Sequence, residues 1–389
     1  MRYRILTLND ISPRGLERLP RERYEVAAGL AHPHAVLVRA ADMHELTLSA
    51  SVRAVACAGA SVDHIPVEAL SERGIPVFHA PGANANAVKE LVLASLFLAA
   101  RNICQAWDFA RALGGEDASI AEAVREGRGA FAGFELSGRT LGVVGLGAVG
   151  VEVANAAEAL GMRVLGYDPQ ITVQRAWQLS SGVEQALSLD DLIARSNLVT
   201  LHVPLNEQTR GLVGAYRLRL LPKGAVLLNF SRAGIVEDAA LIAALDAGWL
   251  HAYVSDFPSR LLKGHPRVIT LPHLGALTGE AEANCAVMAA DELRDFLENG
   301  NVRNSVNFPE AHLARRAGSA RLAIANRNVP NVVGQVSTHL AGAGLNIAAL
   351  LNASRGDYAY TLLDLDGTLA APLLDAVRAI HGVLSAHLI

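Results

Sequence analysis

The stretch from 140 to 168 constrains this chain more than any other. Residues 140–145 (TLGVVG) are an apolar, β-branched run that reads as a strand. The run passes straight into Gly145-Leu146-Gly147-Ala148-Val149-Gly150, then a helical pattern over 151–161. A second strand, Arg163–Tyr167, ends in Asp168, twenty-three residues after Gly145. Each part has a physical task. Gly145 allows a tight turn, Gly147 lets the backbone approach a pyrophosphate, and Gly150 lets helix pack on strand. The helix start, with Ala148 and Val149, offers free N–H groups and a positive dipole end to phosphates. Asp168 is placed to accept hydrogen bonds from ribose hydroxyls, and its charge repels a 2′-phosphate. The spacing therefore predicts a doubly wound parallel sheet carrying NAD in preference to NADP.

About 140 residues precede this fingerprint, so the unit is expected to be inserted into a flanking domain, with substrate in the cleft between. Before it, strands are expected at Tyr3–Leu8, Ala35–Val38, 54–58 and 76–78, with helices between them. A connector helix follows at 85–102, then a polar, Gly-rich stretch at 114–138, then a second α/β series to about 280. Beyond a helix at 281–299, residues 301–318 read as a linker. The last seventy residues read strand (321–325), helix (332–343), strand (347–354), strand (358–365), helix (371–380), strand (382–388), the βαββαβ order of a ferredoxin-like domain. The expected class is α/β, with two Rossmann-like domains and a small third one. The boundaries are 1–90 with 281–312, then 91–280, then 318–389.

Composition excludes several roles. With 34 basic and 38 acidic side chains the chain carries no basic footprint for nucleic acid. Cys57, Cys104 and Cys285 are few and far apart, which argues against a disulfide framework or a metal cluster and for a reducing compartment. The most apolar helix candidate stops at Arg101, well short of the ~20 residues a bilayer span needs. A cytoplasmic protein without a membrane partner is expected.

Three apolar strands downstream end in polar residues: 227–234 (LLNFSRAG), 254–258 (VSDFP) and 271–276 (LPHLGA). In a doubly wound sheet such ends face the cofactor crevice. Arg232 can clamp a carboxylate bidentately, and His273 can trade a proton near neutral pH. Together they suit hydride transfer between a nicotinamide and a hydroxyl-bearing or keto carbon.

On these motifs, together with PGANANAVKELVLA (81–94), GRTLGVVGLGAVG (138–150) and GHPRVITLPHLGA (264–276), the sequence resembles the D-isomer-specific 2-hydroxyacid dehydrogenases. It most resembles the members that oxidise 3-phosphoglycerate at the start of serine synthesis. The resemblance implies Arg232 as substrate-binding arginine and His273 as general acid/base. It also implies Phe230, Ser231 and Asp256 beside the nicotinamide half. Arg39, Asn84 and the backbone around Gly59 would face a small 2-hydroxy or 2-keto acid. Three positions depart from the family pattern. Leu261 stands where a glutamate usually partners the histidine, Cys57 where a phosphate-facing arginine is common, and Ala40 where a serine usually contacts substrate. They leave two alternatives open: an NAD-sensing regulatory homologue with weakened catalysis, or a reductase of an unphosphorylated acid such as hydroxypyruvate or glyoxylate.

The C-terminal segment resembles an ACT regulatory domain through residues 326–331 (NRNVPN) and 344–347 (GLNI). That resemblance implies an amino-acid effector held by Asn328 and Asn346 across paired domains, in a homodimer or homotetramer. A plain dimerisation module whose asparagines cap turns is the other reading.

Overall fold

The computed structural model describes residues 2–316 and 318–389; positions 1 and 317, the latter in the expected linker, lie outside the described residues. The chain forms two compact units, 1–84 with 279–389, and 85–278.

In the first unit, β1 (Tyr3–Leu8), β2 (Tyr24–Ala27), β3 (Ala35–Val38), β4 (Ala54–Cys57) and β5 (Val77–Phe78) form a parallel sheet in the order β2-β1-β3-β4-β5. β3 and β4 are buried along their whole length, because both faces of the sheet are covered. One expectation needs correcting: the stretch between β1 and β3 holds only a four-residue helix, Pro13–Leu16, and then β2. Pro20 breaks any longer helix there, and the buried Tyr24 anchors the edge strand.

The second unit holds β6 (Thr140–Val144), β7 (Arg163–Tyr167), β8 (Glu184–Gln185), β9 (Leu198–Leu201), β10 (Ala225–Asn229), β11 (Leu250–Ser255) and β12 (Val268–Thr270). Their order is β12-β11-β10-β9-β6-β7-β8, all parallel. The order reverses between β6 and β9, which opens a crevice at the carboxyl ends of those strands. The polar, Gly-rich stretch at 114–138 contains the helix Asp117–Gly127. Its Ala, Glu and Val at helical spacing outweigh the flanking glycines.

The four C-terminal strands are β13 (Ala320–Arg327), β14 (Asn346–Arg355), β15 (Tyr358–Asp366) and β16 (Val383–Leu388). They form an antiparallel sheet in the order β14-β15-β13-β16, with two helices between them in the ferredoxin-like arrangement. This sheet was expected to stand apart, but it belongs to the first unit. Leu322 and Ile324 face its own helices, while Ala323, Ala325, Tyr360 and Leu362 join the core of the N-terminal sheet and the helix Gly279–Asn299. Alternation along β13 thus supplies two apolar faces rather than one apolar and one wet. Fully buried Arg321 locks the junction. Its guanidinium pairs with Asp364 at 2.7 and 2.9 Å and donates to the carbonyls of Asn299, Leu313 and Ala314. All five N–H donors are used, so removing either charge would cost about 3–5 kcal/mol.

No helix among the described residues is long and apolar enough to cross a membrane, and no group of three or more His, Cys, Asp or Glu side chains there is placed to hold a metal.

Candidate active site

The glycine turn sits at the carboxyl end of β6. Gly145 has φ +92°, and a Cβ there would lie 2.7 Å from the carbonyl oxygen of His202. A Cβ on Gly150 would lie 1.9 Å from the carbonyl oxygen of Gly145, so helix and turn touch backbone to backbone. A Cβ on Gly147 would meet nothing within 4 Å. Gly145 and Gly150 are thus needed by the fold, whereas Gly147 leaves space that the fold does not use. The helix, Ala148–Ala159, begins directly after Gly147, three residues earlier than expected, and no side chain caps it. Its first-turn N–H groups, including those of Ala148 and Val149, therefore face outward with the dipole behind them.

Asp168, just past β7, accepts hydrogen bonds from Leu146 N–H at 2.8 Å and Gln170 N–H at 2.9 Å. It remains half-exposed, with lone pairs left on both oxygens. Turn, helix start and carboxylate fit a dinucleotide. His202, which sequence reasoning missed, walls the turn and bonds Thr200 at 2.9 Å. Desolvation pushes its imidazole down to about 4, so it stays neutral near pH 7.

Three adjacent strands end in one row, with Asn229 of β10 paired to Ser255 of β11 and Ser255 paired to Thr270 of β12. Arg232 lies three residues past Asn229, Asp256 directly follows Ser255, and His273 lies three residues past Thr270. Buried Asn229, also not singled out from sequence, shapes the first turn. Its side chain accepts from Ser231 N–H at 3.1 Å and donates to the Arg232 carbonyl at 2.9 Å. Arg232 is exposed, and its only polar side-chain contact among the described residues is the carbonyl of Ser231, at 2.8 Å. Most of its donors stay open.

Two residues expected beside the nicotinamide half are buried and make contacts within the protein. Phe230 is buried within the sheet core, and its side chain packs there. Asp256 is 2% exposed and spends its carboxylate on Leu274 and Gly275 N–H, both at 2.7 Å. It holds the histidine turn in place. Ser231 is half-buried and donates to the Leu201 carbonyl at 2.7 Å. His273 is exposed at φ +57°, a left-handed conformation uncommon outside glycine.

In the first unit, the turn after β4 leaves the N–H groups of Ala60, Ser61 and Val62 without partners among the described residues, as a carboxylate cradle would. Gly59 uses its carbonyl to accept from Ala80 N–H at 2.9 Å. Arg39 is half-exposed and closely paired with Glu282. Asn84, ending this segment, makes no side-chain hydrogen bond among the described residues. Cys57 is fully buried, and burial pushes its thiol up to about 12, which makes it an inert packing group.

The sequence profile described as "D-isomer specific 2-hydroxyacid dehydrogenase, NAD binding domain" matches residues 94–275. The D-3-phosphoglycerate dehydrogenase of Haemophilus influenzae is 31% identical over 347 residues, covering 86% of this chain and 81% of that protein. The chain belongs to the D-isomer-specific 2-hydroxyacid dehydrogenase family. The Archaeoglobus fulgidus protein of the same name is 36% identical over 74% of this chain, which spans only 54% of its length. The NAD+-bound 3-phosphoglycerate dehydrogenase of Entamoeba histolytica superposes with a TM-score of 0.61 at 26% identity, covering 79% of this chain and 99% of that one.

The cofactor of this dehydrogenase is NAD, in keeping with the matched NAD-binding domain. Leu261 is 55% exposed on the loop after β11 and offers nothing that could bond an imidazole. The two asparagines of the C-terminal sheet are not brought together within one chain. Asn328 lies past the end of β13 and bonds the Gly356 carbonyl at 3.1 Å, while Asn346 starts β14 and bonds Asp366 at 2.9 Å. Eight residues of β15, or about 27 Å, separate those ends.

Proposed function

We propose that this dehydrogenase oxidises a D-2-hydroxy acid at C2, with 3-phosphoglycerate, the first substrate of serine synthesis, as the preferred acid. The observation that carries this is the aligned row of Asn229, Ser255 and Thr270, which sets Arg232 and His273 after the first and third of three consecutive strands of the NAD-binding sheet. Arg232, with open donors, holds the substrate carboxylate and polarises the developing C2 carbonyl. His273 takes the proton from the C2 hydroxyl. Bound at the glycine turn, NAD would supply the acceptor for the hydride leaving C2. In the first unit, the free N–H groups of residues 60–62 and the half-exposed Arg39 suit an acid's carboxylate.

The test is NADH formation from 3-phosphoglycerate and from unphosphorylated glycerate, by wild type and His273→Ala. Wild type should turn over, with His273→Ala slower by about 10²–10⁴-fold. No turnover of any small 2-hydroxy or 2-keto acid, with NAD still raising the melting temperature, would favour the NAD-sensing alternative. One observation favours the unphosphorylated acids: position 57, where relatives carry a phosphate-facing arginine, holds a fully buried cysteine. Higher kcat/KM on glycerate or hydroxypyruvate would establish that reading.

We further propose that the C-terminal sheet is an ACT-type regulatory module in a homo-oligomer. Asn326 is 3% exposed, with its Oδ1 unpartnered among the described residues, and lines a cavity of about 250 Å³ together with Asn328, Asn331 and Asn352. Such a cavity suits the ammonium and carboxylate of an amino acid. Asn346 would have to come from a second copy. The helices Ile103–Ala112 and Asp117–Gly127 have no buried residue and expose Ile103, Trp107 and Val124, which supports self-association. Sedimentation should give a dimer or tetramer, and L-serine should raise the melting temperature of wild type but not of Asn328→Ala. A monomer, or an equal shift in both, would overturn this part.

A further inference from the structure

His273 is gripped by two consecutive residues. Asp256 fixes its backbone: His273 N–H donates to the Asp256 carbonyl at 3.1 Å, and the next two N–H groups donate to the Asp256 carboxylate. These three bonds hold the left-handed turn against its intrinsic cost. The imidazole itself makes no hydrogen bond to any side chain among the described residues. Its ring instead meets the ring of Phe257, with centroids 5.4 Å apart and planes at 74°. Phe257 is anchored in turn, because its N–H donates to the hydroxyl of Ser255, which is fully buried at the end of β11. The exposed alkyl chain of Leu261 offers no competing acceptor.

We propose that Phe257 is the positioning residue of His273, setting the imidazole's orientation by edge-to-face ring packing where the family pattern places a carboxylate. This rests on the reading of His273 as the acid/base group. A T-shaped ring pair favours one arrangement over others by a factor of about 3–10. Unlike a carboxylate, it does so without adding charge.

The experiment compares Phe257→Leu, which removes the ring, with Phe257→Tyr, which keeps it, in the full chain with NAD. Phe257→Leu should lower kcat about 3–10-fold, leave KM for NAD and for the acid within twofold, and shift the His273 imidazole C–H resonances as the ring current disappears. Phe257→Tyr should restore both rate and resonances. The proposal is overturned by an unchanged kcat with unmoved resonances in Phe257→Leu, by a rise in KM for NAD at constant kcat, or by an equal loss in Phe257→Tyr. If wild type oxidises no 2-hydroxy acid, the proposed reaction falls, while the resonances still decide whether Phe257 orients His273.

Discussion

Gly147 and Gly150 lie three residues apart in one turn, and the structure assigns them opposite consequences when each is replaced by alanine. At Gly150 the new Cβ would stand 1.9 Å from the Gly145 carbonyl oxygen, more than 1 Å inside the closest approach real Cβ atoms make. Neither partner can yield cheaply, since both are backbone, so helix and strand must separate. That overpacking costs about 1–3 kcal/mol or more. At Gly147 the Cβ would meet nothing within 4 Å, and its φ of −73° suits any residue. The space it would fill is the space assigned to the pyrophosphate. Gly147→Ala should therefore melt within about 1 °C of wild type without ligand, yet bind NAD about 10–100-fold more weakly, a loss of roughly 1.4–2.8 kcal/mol. Gly150→Ala should melt several degrees lower before any ligand is added. Scanning fluorimetry and calorimetric titration with NAD separate the two effects. Wild-type NAD affinity in a well-folded Gly147→Ala protein would refute the assignment of this turn as the phosphate cradle.

Asp256→Asn should leave one of the Leu274 and Gly275 N–H groups without an acceptor, costing about 1–3 kcal/mol of stability and lowering kcat more than NAD affinity. Loss of NAD affinity at unchanged kcat would instead make Asp256 a direct cofactor ligand. Glu292 is 7% exposed on the helix Gly279–Asn299, with one carboxyl oxygen unpartnered among the described residues, and burial pushes it up from 4.5 to about 8. A raised carboxyl pKa makes its contribution to stability complete below about pH 4.5 and progressively lost as pH rises toward 8, at about 1.4 kcal/mol per pH unit. Glu292→Gln should match wild type in melting temperature near pH 5 and exceed it near pH 8. A constant difference across that range would contradict the burial argument.

Much of the site was legible because its parts are local. The Gly145–Gly150 turn, its helix and Asp168 are fixed by spacing within one βαβ unit, and the polar ends after β10, β11 and β12 mark Arg232 and His273 in linear sequence. What stayed hidden depends on tertiary partners. Asp256 reads as one more polar strand end until folding delivers the Leu274 and Gly275 N–H groups to it. Phe230 is a strand-end aromatic whose burial is set by neighbouring strands. Arg39 gave no sign of Glu282, which lies 243 positions away. The C-terminal sheet reads as a free-standing unit because alternation along β13 reveals two apolar faces without saying what covers the second. The short β2 was lost because four residues carry too little periodicity to separate strand from turn.

The most direct measurement is a single-turnover experiment with saturating NAD and D-3-phosphoglycerate, comparing wild type with Arg232→Lys and His273→Gln while NAD affinity is followed by calorimetry. The account predicts rapid NADH formation by wild type and a fall of at least about 10²-fold in both variants, with NAD binding unchanged. Either variant forming NADH at the wild-type rate would contradict the claim that a guanidinium and an imidazole flanking the end of β11 carry this chemistry.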